Sequence, residues 1–234
     1  MKIFLTGQRS FGAAVASLIV ELGHDLVGVA SPPWRDTDIF FPHAGPDADL
    51  TRRAAESFGV PWVDSSQLRA PAVPEGTDLI VAAHSHAFVG RATRARARVG
   101  AIGYHPSLLP LHRGRDAVRW AVRMRERVTG GSVYWLTDGV DTGPIAAQRH
   151  VFIRAKDTAG DLWRRDLLPL GLLLLRKVIG DIDAGHLVQV PQREELATWE
   201  PSLERAPLFR PELPQLGDGR ATGPTVTADP AALF

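Results

Sequence analysis

An alternation of strand and helix that begins at the second residue is what most constrains this chain. Ile3-Phe4-Leu5 reads as a buried strand closed by Gly7, and Phe11 to Leu22 follows as an amphipathic helix. Leu26 to Ala30 is a second strand, Ala48 to Phe58 a second helix, and Val60 to Val63 a short edge strand. Asp78 to Ala83 is an apolar run suited to the centre of a sheet. Strands that alternate with helices from the start predict an α/β fold with a mostly parallel sheet.

The next strand, Val99 to Tyr104, runs into Tyr104-His105-Pro106-Ser107-Leu108-Leu109-Pro110-Leu111-His112-Arg113-Gly114. Pro106 has no N–H for a ladder and restricts the residue before it, so the strand must end there. A histidine at the carboxyl end of a strand, on a loop stiffened by two prolines, is a typical seat of chemistry in an α/β sheet. Ala117 to Met124 then returns to helical spacing. Gly130-Gly131 is expected to turn the chain into the strand Ser132 to Leu136, and Ile145 to Phe152 is a further strand. The tight loop Thr137 to Pro144 between them forces these two strands to pair antiparallel. That loop presents Asp138 and Asp141 toward the His105 loop. Thr158 to Ile179 is expected to be one long amphipathic helix with Asp157 as N-cap.

With 234 residues and no composition shift, the chain is expected to hold a single domain, residues 1–187. Residues 188–215 read as a C-terminal extension. Residues 216–234, rich in Gly, Ala, Thr and Pro, read as a tail that is disordered or draped on the surface. A net charge of +1 supplies no field to draw the chain to nucleic acid or to a membrane. With no cysteine, disulfides and thiolate metal sites are excluded. The apolar run after Met1 is too short for a signal peptide, and Leu167 to Leu175, broken by Pro169 and Gly171, is too short for a membrane span. A soluble, cytoplasmic protein is the expectation. The leucine run could serve a homodimer but is more simply core.

Three further stretches call for a reading. Gly7-Gln8-Arg9-Ser10-Phe11-Gly12 falls short of the dinucleotide fingerprint, and a tight strand-to-helix turn accounts for it. His84-Ser85-His86 offers two ring ligands but no third, so no metal is expected; the pair reads as polar lining of a pocket at a strand's end. Ser31 to Asp49 is long enough to be functional, and its Trp34, Phe40 and Phe41 either line a pocket or cap the sheet edge.

His105 and Asp141, on neighbouring loops of one sheet face, suit proton transfer at a carbonyl carbon. Imidazole works as acid or base near neutral pH, and a carboxylate beside it orients a water and stabilises imidazolium. A serine-hydrolase reading lacks its G-x-S-x-G elbow.

His105-Pro106-Ser107-Leu108-Leu109-Pro110, Arg113-Gly114 and Gly139-Val140-Asp141-Thr142-Gly143-Pro144 together resemble the 10-formyltetrahydrofolate-dependent formyltransferase family. The resemblance runs from about Met1 to Pro201, and is strongest to the hydrolase domain of 10-formyltetrahydrofolate dehydrogenase. It implies the formyltransferase fold, a Rossmann-like sheet with a C-terminal antiparallel hairpin. It also implies His105 as acid/base group, Asp141 as water-orienting carboxylate, and 10-formyltetrahydrofolate as formyl donor. The pterin is expected along the backbone of Val81, Ala83, His84 and Phe88 and of Asp138 and Val140. The acceptor is expected to be a small amine, with water as the alternative acceptor and a non-catalytic folate- or nucleotide-binding protein as the reading from another class.

One residue departs from the pattern. The family's transferases usually carry an asparagine two places before the histidine, where it donates to the formyl oxygen; here that place is Gly103. Loss of one such donor typically costs about 100- to 1000-fold in rate. Either another donor substitutes, or the reaction differs, or activity is weak. No nucleic-acid partner is expected, because Ser31 to Asp49 is acidic (Asp36, Asp38, Asp47 and Asp49 against Arg35) where phosphates would require Lys and Arg.

Overall fold

The computed structural model describes residues 1–33, 49–201 and 203. The loop aromatics Trp34, Phe40 and Phe41, and the tail 216–234, lie outside the described residues. Seven strands form one sheet: β1 (Lys2–Gly7), β2 (Asp25–Ser31), β3 (Trp62–Asp64), β4 (Leu79–Ala83), β5 (Gly100–His105), β6 (Val128–Trp135) and β7 (Ile145–Phe152). Their order is β3-β2-β1-β4-β5-β6-β7. The first five pair parallel, whereas β6 runs antiparallel to β5 and β7 antiparallel to β6. The order reverses between β1 and β4, the switch point outside which open α/β sheets bind ligands.

Period-two alternation splits the strands between two cores. Ile3, Leu5, Leu79, Val81, Ala83, Ile102, Tyr104 and Val133 face a large cluster with Phe11, Val15 and Ile19 of helix α1 (Arg9–Glu21). Phe4, Ile80 and Ala101 face a smaller cluster with Leu68, Val73, Val89 and Ala97. Gly103 and His105 stand two and four residues from Ala101, and so share this second face. Helices α2 (Leu50–Ser57), α3 (Arg91–Arg94), α4 (Ala117–Arg123), α5 (Ala159–Leu162) and α6 (Leu168–Asp183) complete the fold.

Three local expectations need correction. Gly130 and Gly131 do not turn the chain; they lie inside β6, which starts at Val128. A β-carbon on Gly130 would lie 2.3 Å from the Arg149 carbonyl oxygen, and one on Gly131 2.5 Å from the Tyr104 hydroxyl. The glycines are there for close approach within the sheet rather than for a bend. The long helix is three pieces, α5, a π-helical turn at Trp163–Leu167 and α6, because Pro169 lacks the N–H that would continue the α-ladder. Its N-cap is Thr158, in a reciprocal capping box with Asp161, while Asp157 instead binds Arg165 at 2.6 and 2.7 Å. Leu167, Leu170, Leu174 and Leu175 are buried, so most of the leucine run is core, while Leu173 is exposed. No helix among the described residues is long and apolar enough to cross a membrane.

Candidate active site

A cavity of about 340 Å³ opens at the carboxyl ends of β4 and β5. Of the residues expected there, His84, Phe88, His105, Val140 and Asp141 line it. Val81 and Ala83 do not, because both are fully buried, backbone included, with their side chains in the larger core on the opposite face; their neighbour Ala82 lines the cavity. Asp138 is also drawn away. Arg91 and Arg94 of α3 both bind its carboxylate, and they hold it at about 2. The two carboxylates of the tight loop thus part company, and Asp141 alone reaches the histidine.

His105 ends β5 and is buried. Its Nε2 lies 2.6 Å from the His112 carbonyl oxygen. A carbonyl can only accept, so Nε2 carries the hydrogen and a neutral ring leaves its lone pair on Nδ1. Nδ1 faces Asp141 Oδ2 at 3.5 Å. Second-contact control of this kind decides which ring atom does chemistry. Here it leaves Nδ1 as the ring atom free to exchange a proton.

Asp141 is held on both oxygens. Tyr134 donates its hydroxyl to Oδ1, and the Gly114 N–H donates to Oδ2 at 2.7 Å. Asp141 adopts the left-handed conformation (φ 55°), as do His84 and His112 at 54° and Asp116 at 64°. Each costs on the order of 1–2 kcal/mol for a residue with a β-carbon, so the surrounding contacts must impose them.

At Asp141 and His112 many of those contacts come from residues 190–201, which fold back across both loops. Val190 pairs with Ile145 at the start of the edge strand β7, and the N–H of Arg113 donates to the Thr198 carbonyl at 3.0 Å. Gln192 ties the two loops together: its Oε1 accepts from Arg113 at 2.7 and 3.1 Å, and its Nε2 donates to the carbonyls of Asp141 (2.8 Å) and Gly143 (2.7 Å). Arg113, buried, also makes a bidentate pair with Glu194 at 2.6 and 2.8 Å. Trp199 packs against Gly114 at van der Waals distance, and it is the left-handed backbone at Gly114 (φ 91°) that favours glycine there.

His112 is the second buried histidine of the loop. Its two ring nitrogens meet Glu200 at 2.9 Å and Glu126 at 2.8 Å. Burial by itself would push the ring down, but the two carboxylates outweigh it and hold His112 up at about 9. At the other end of the cavity, burial, with His86 and Arg9 nearby, keeps His84 neutral at about 4. Its ring leans on Trp163 at 5.0 Å and meets His86 edge to face at 5.5 Å.

Sequence reasoning missed Tyr134, Gln192 and Glu200. Tyr134 showed only as one apolar position in a strand. The segment holding Gln192 was noted, yet nothing in a linear pattern shows which backbone its amide will bind.

Comparison with known proteins completes the description. Residues 64–168 match the family model described as formyl transferase. The mouse mitochondrial 10-formyltetrahydrofolate dehydrogenase is 34% identical over 210 residues, which is 86% of this chain; the chain spans about a fifth, 22%, of that relative's length. A crystal structure of glycinamide ribonucleotide transformylase 1 from Symbiobacterium toebii superposes with a TM-score of 0.63 at 25% identity, over 80% of this chain and 90% of that one. The sugar 3N-formyl transferase WlaRD shares the fold, with a TM-score of 0.69 at 17% identity over 85% of this chain and 69% of that one. The motifs around His105 and Asp141, the sheet order with its antiparallel end, and these matches agree: residues 64–168 carry a formyl transferase domain match.

Proposed function

We propose that this chain moves the formyl group of 10-formyltetrahydrofolate to a small amine acceptor, with His105 and Asp141 as its catalytic pair. One observation carries the reading: His105 Nε2 is committed to a backbone carbonyl, while Nδ1 faces Asp141, and both residues line the cavity. The amine nitrogen bonds to the formyl carbon and the bond from that carbon to N10 breaks. The amine's proton leaves to Nδ1, where Asp141 stabilises the imidazolium, and a proton returns to N10. The products are the formylated amine and tetrahydrofolate.

The cavity fits such a donor. Its volume falls in the range of small-molecule sites, and Phe88, Val89, Leu136 and Val140 supply an apolar wall for a flat ring system. Asp138, held by α3, would act by bracing the loop that carries Val140 rather than by touching the pterin.

Gly103 favours a second reading, with water as acceptor and formate as product. No side chain at that position steadies the developing oxyanion, and the dehydrogenase relative is named for the same folate. Incubation with 10-formyltetrahydrofolate, with and without a panel of amines, decides between them. Formate release that ignores added amine supports hydrolysis, whereas amine-dependent release of tetrahydrofolate supports transfer. Tight folate binding with no turnover under any condition would leave a non-catalytic binding protein and overturn both.

A further inference from the structure

The sheet register sets Tyr134 directly opposite Gly103. Residues 103 and 105 share a face of β5, so Tyr134 stands on the face from which His105 acts. A β-carbon on Gly103 would come within 3.2 Å of Tyr134 Cε1 and 2.9 Å of Leu136 Cδ2. The phenol ring therefore fills the space that a side chain at 103 would claim, and it lines the cavity beside His105 and Asp141. Its hydroxyl ends on Asp141 Oδ1. Burial and the neighbouring carboxylate both push the phenol far up, so it remains a donor throughout the pH range of a folded protein.

Asp141 has two oxygens and needs one of them aimed at His105. Oδ2 has that place, together with the Gly114 N–H at 2.7 Å. A carboxylate anchored only at Oδ2 can still rotate about its last bond. A second donor at Oδ1 removes that freedom. We propose that Tyr134 is a positioning residue of the reaction, whose hydroxyl locks the Asp141 carboxylate so that Oδ2 faces Nδ1 of His105, and that Gly103 is the small partner that makes room for it. The proposal rests on the reading of His105 and Asp141 as the catalytic pair. Tyr134 acts through Asp141, not on the donor.

Tyr134→Phe tests this, because it removes the hydroxyl and keeps the ring against Gly103. In the full chain, kcat should fall about 10- to 100-fold, with KM for 10-formyltetrahydrofolate changed less than about twofold. In an Asp141→Asn background the same substitution should cost less than about twofold, since the group it orients is already disabled. An unchanged kcat, a rise in KM alone, or two losses that multiply would each overturn the proposal. Proton NMR supplies a readout that does not depend on turnover. The Tyr134 hydroxyl proton should be slowly exchanging and far downfield, absent in Tyr134→Phe and moved in Asp141→Asn. If that resonance is missing from the wild type, the positioning role fails. If it is present while the wild type turns over no 10-formyltetrahydrofolate, the formyl-transfer reading fails and takes the catalytic role of Tyr134 with it.

Discussion

Two buried histidines seven residues apart on one loop have been given opposite circumstances. His112 spends both ring nitrogens on carboxylates, Glu126 and Glu200, and stands as a fixed cation that pins the loop to residues 190–201. His105, which lines the cavity, spends one nitrogen on the His112 carbonyl and keeps the other facing a carboxylate. Burial is the same; what differs is an unspent lone pair. A histidine with every hydrogen bond satisfied is scaffold, and one with a single open site beside a charge can move a proton. The two are linked, because the backbone that His112 holds is the acceptor that fixes the His105 tautomer.

The comparison breaks most sharply at His105. His105→Ala should lower kcat about 1000-fold, the scale of a lost general acid–base, while the urea midpoint changes little. Equal losses of turnover in His105→Ala and His112→Ala, with stability intact in both, would erase the distinction between the two rings.

His112→Ala should do the reverse in kind. It removes the counter-charge between Glu126 and Glu200, of which the Glu200 side chain is 10% exposed, and should cost about 3 kcal/mol of stability. Its pH dependence has a definite sign. A ring raised from about 6.5 when unfolded to about 9 in the fold contributes stability that is complete below pH 6.5 and lost as pH rises through 9. Urea denaturation should therefore show wild type losing about 3 kcal/mol between those limits, and His112→Ala losing none of it. A parallel decline in both proteins would assign the effect elsewhere.

Gln192→Ala cuts the tie between the loops while leaving both histidines in place. Asp141 and Gly143 lose a donor to their carbonyls, and Arg113 loses an acceptor while keeping Glu194. A fall in kcat of about 10-fold is expected from the loosened alignment, with KM for the folate nearly unchanged. Gln192→Asn, whose amide stops one methylene short, should not rescue it.

How much of this was legible depended on distance along the chain. The apolar runs of β1, β2, β4 and β5 declared a parallel sheet, and the tight Thr137–Pro144 loop declared the antiparallel end, because both signals are local. His105 was visible for the same reason: strand, histidine and proline are consecutive. Asp141 was told apart from Asp138 only by the resemblance, since what separates them physically is a pair of arginines more than forty residues upstream. The role of residues 190–201 was hidden in the same way, as Gln192 meets Asp141 across 51 residues. The glycine pair in β6 misled because a glycine that permits a turn and one that permits close packing are the same letter.

Gly103 joins these two limits, being a local absence whose meaning lies on another strand. Gly103→Ala should give the smallest effect of the set. The added methyl meets the flexible end of Leu136 at 2.9 Å, which can swing aside, and the Tyr134 ring at 3.2 Å, which must give by a few tenths of an ångström. The ring is tethered by its hydroxyl to Asp141, so that displacement reaches the carboxylate. The loss in kcat should be a few-fold, well under that of Tyr134→Phe, and nearly absent when Tyr134 is already Phe and its tether gone. Equal losses in the two backgrounds would mean that position 103 acts on the reaction without passing through Tyr134, and that the open space beside His105 matters for its own sake.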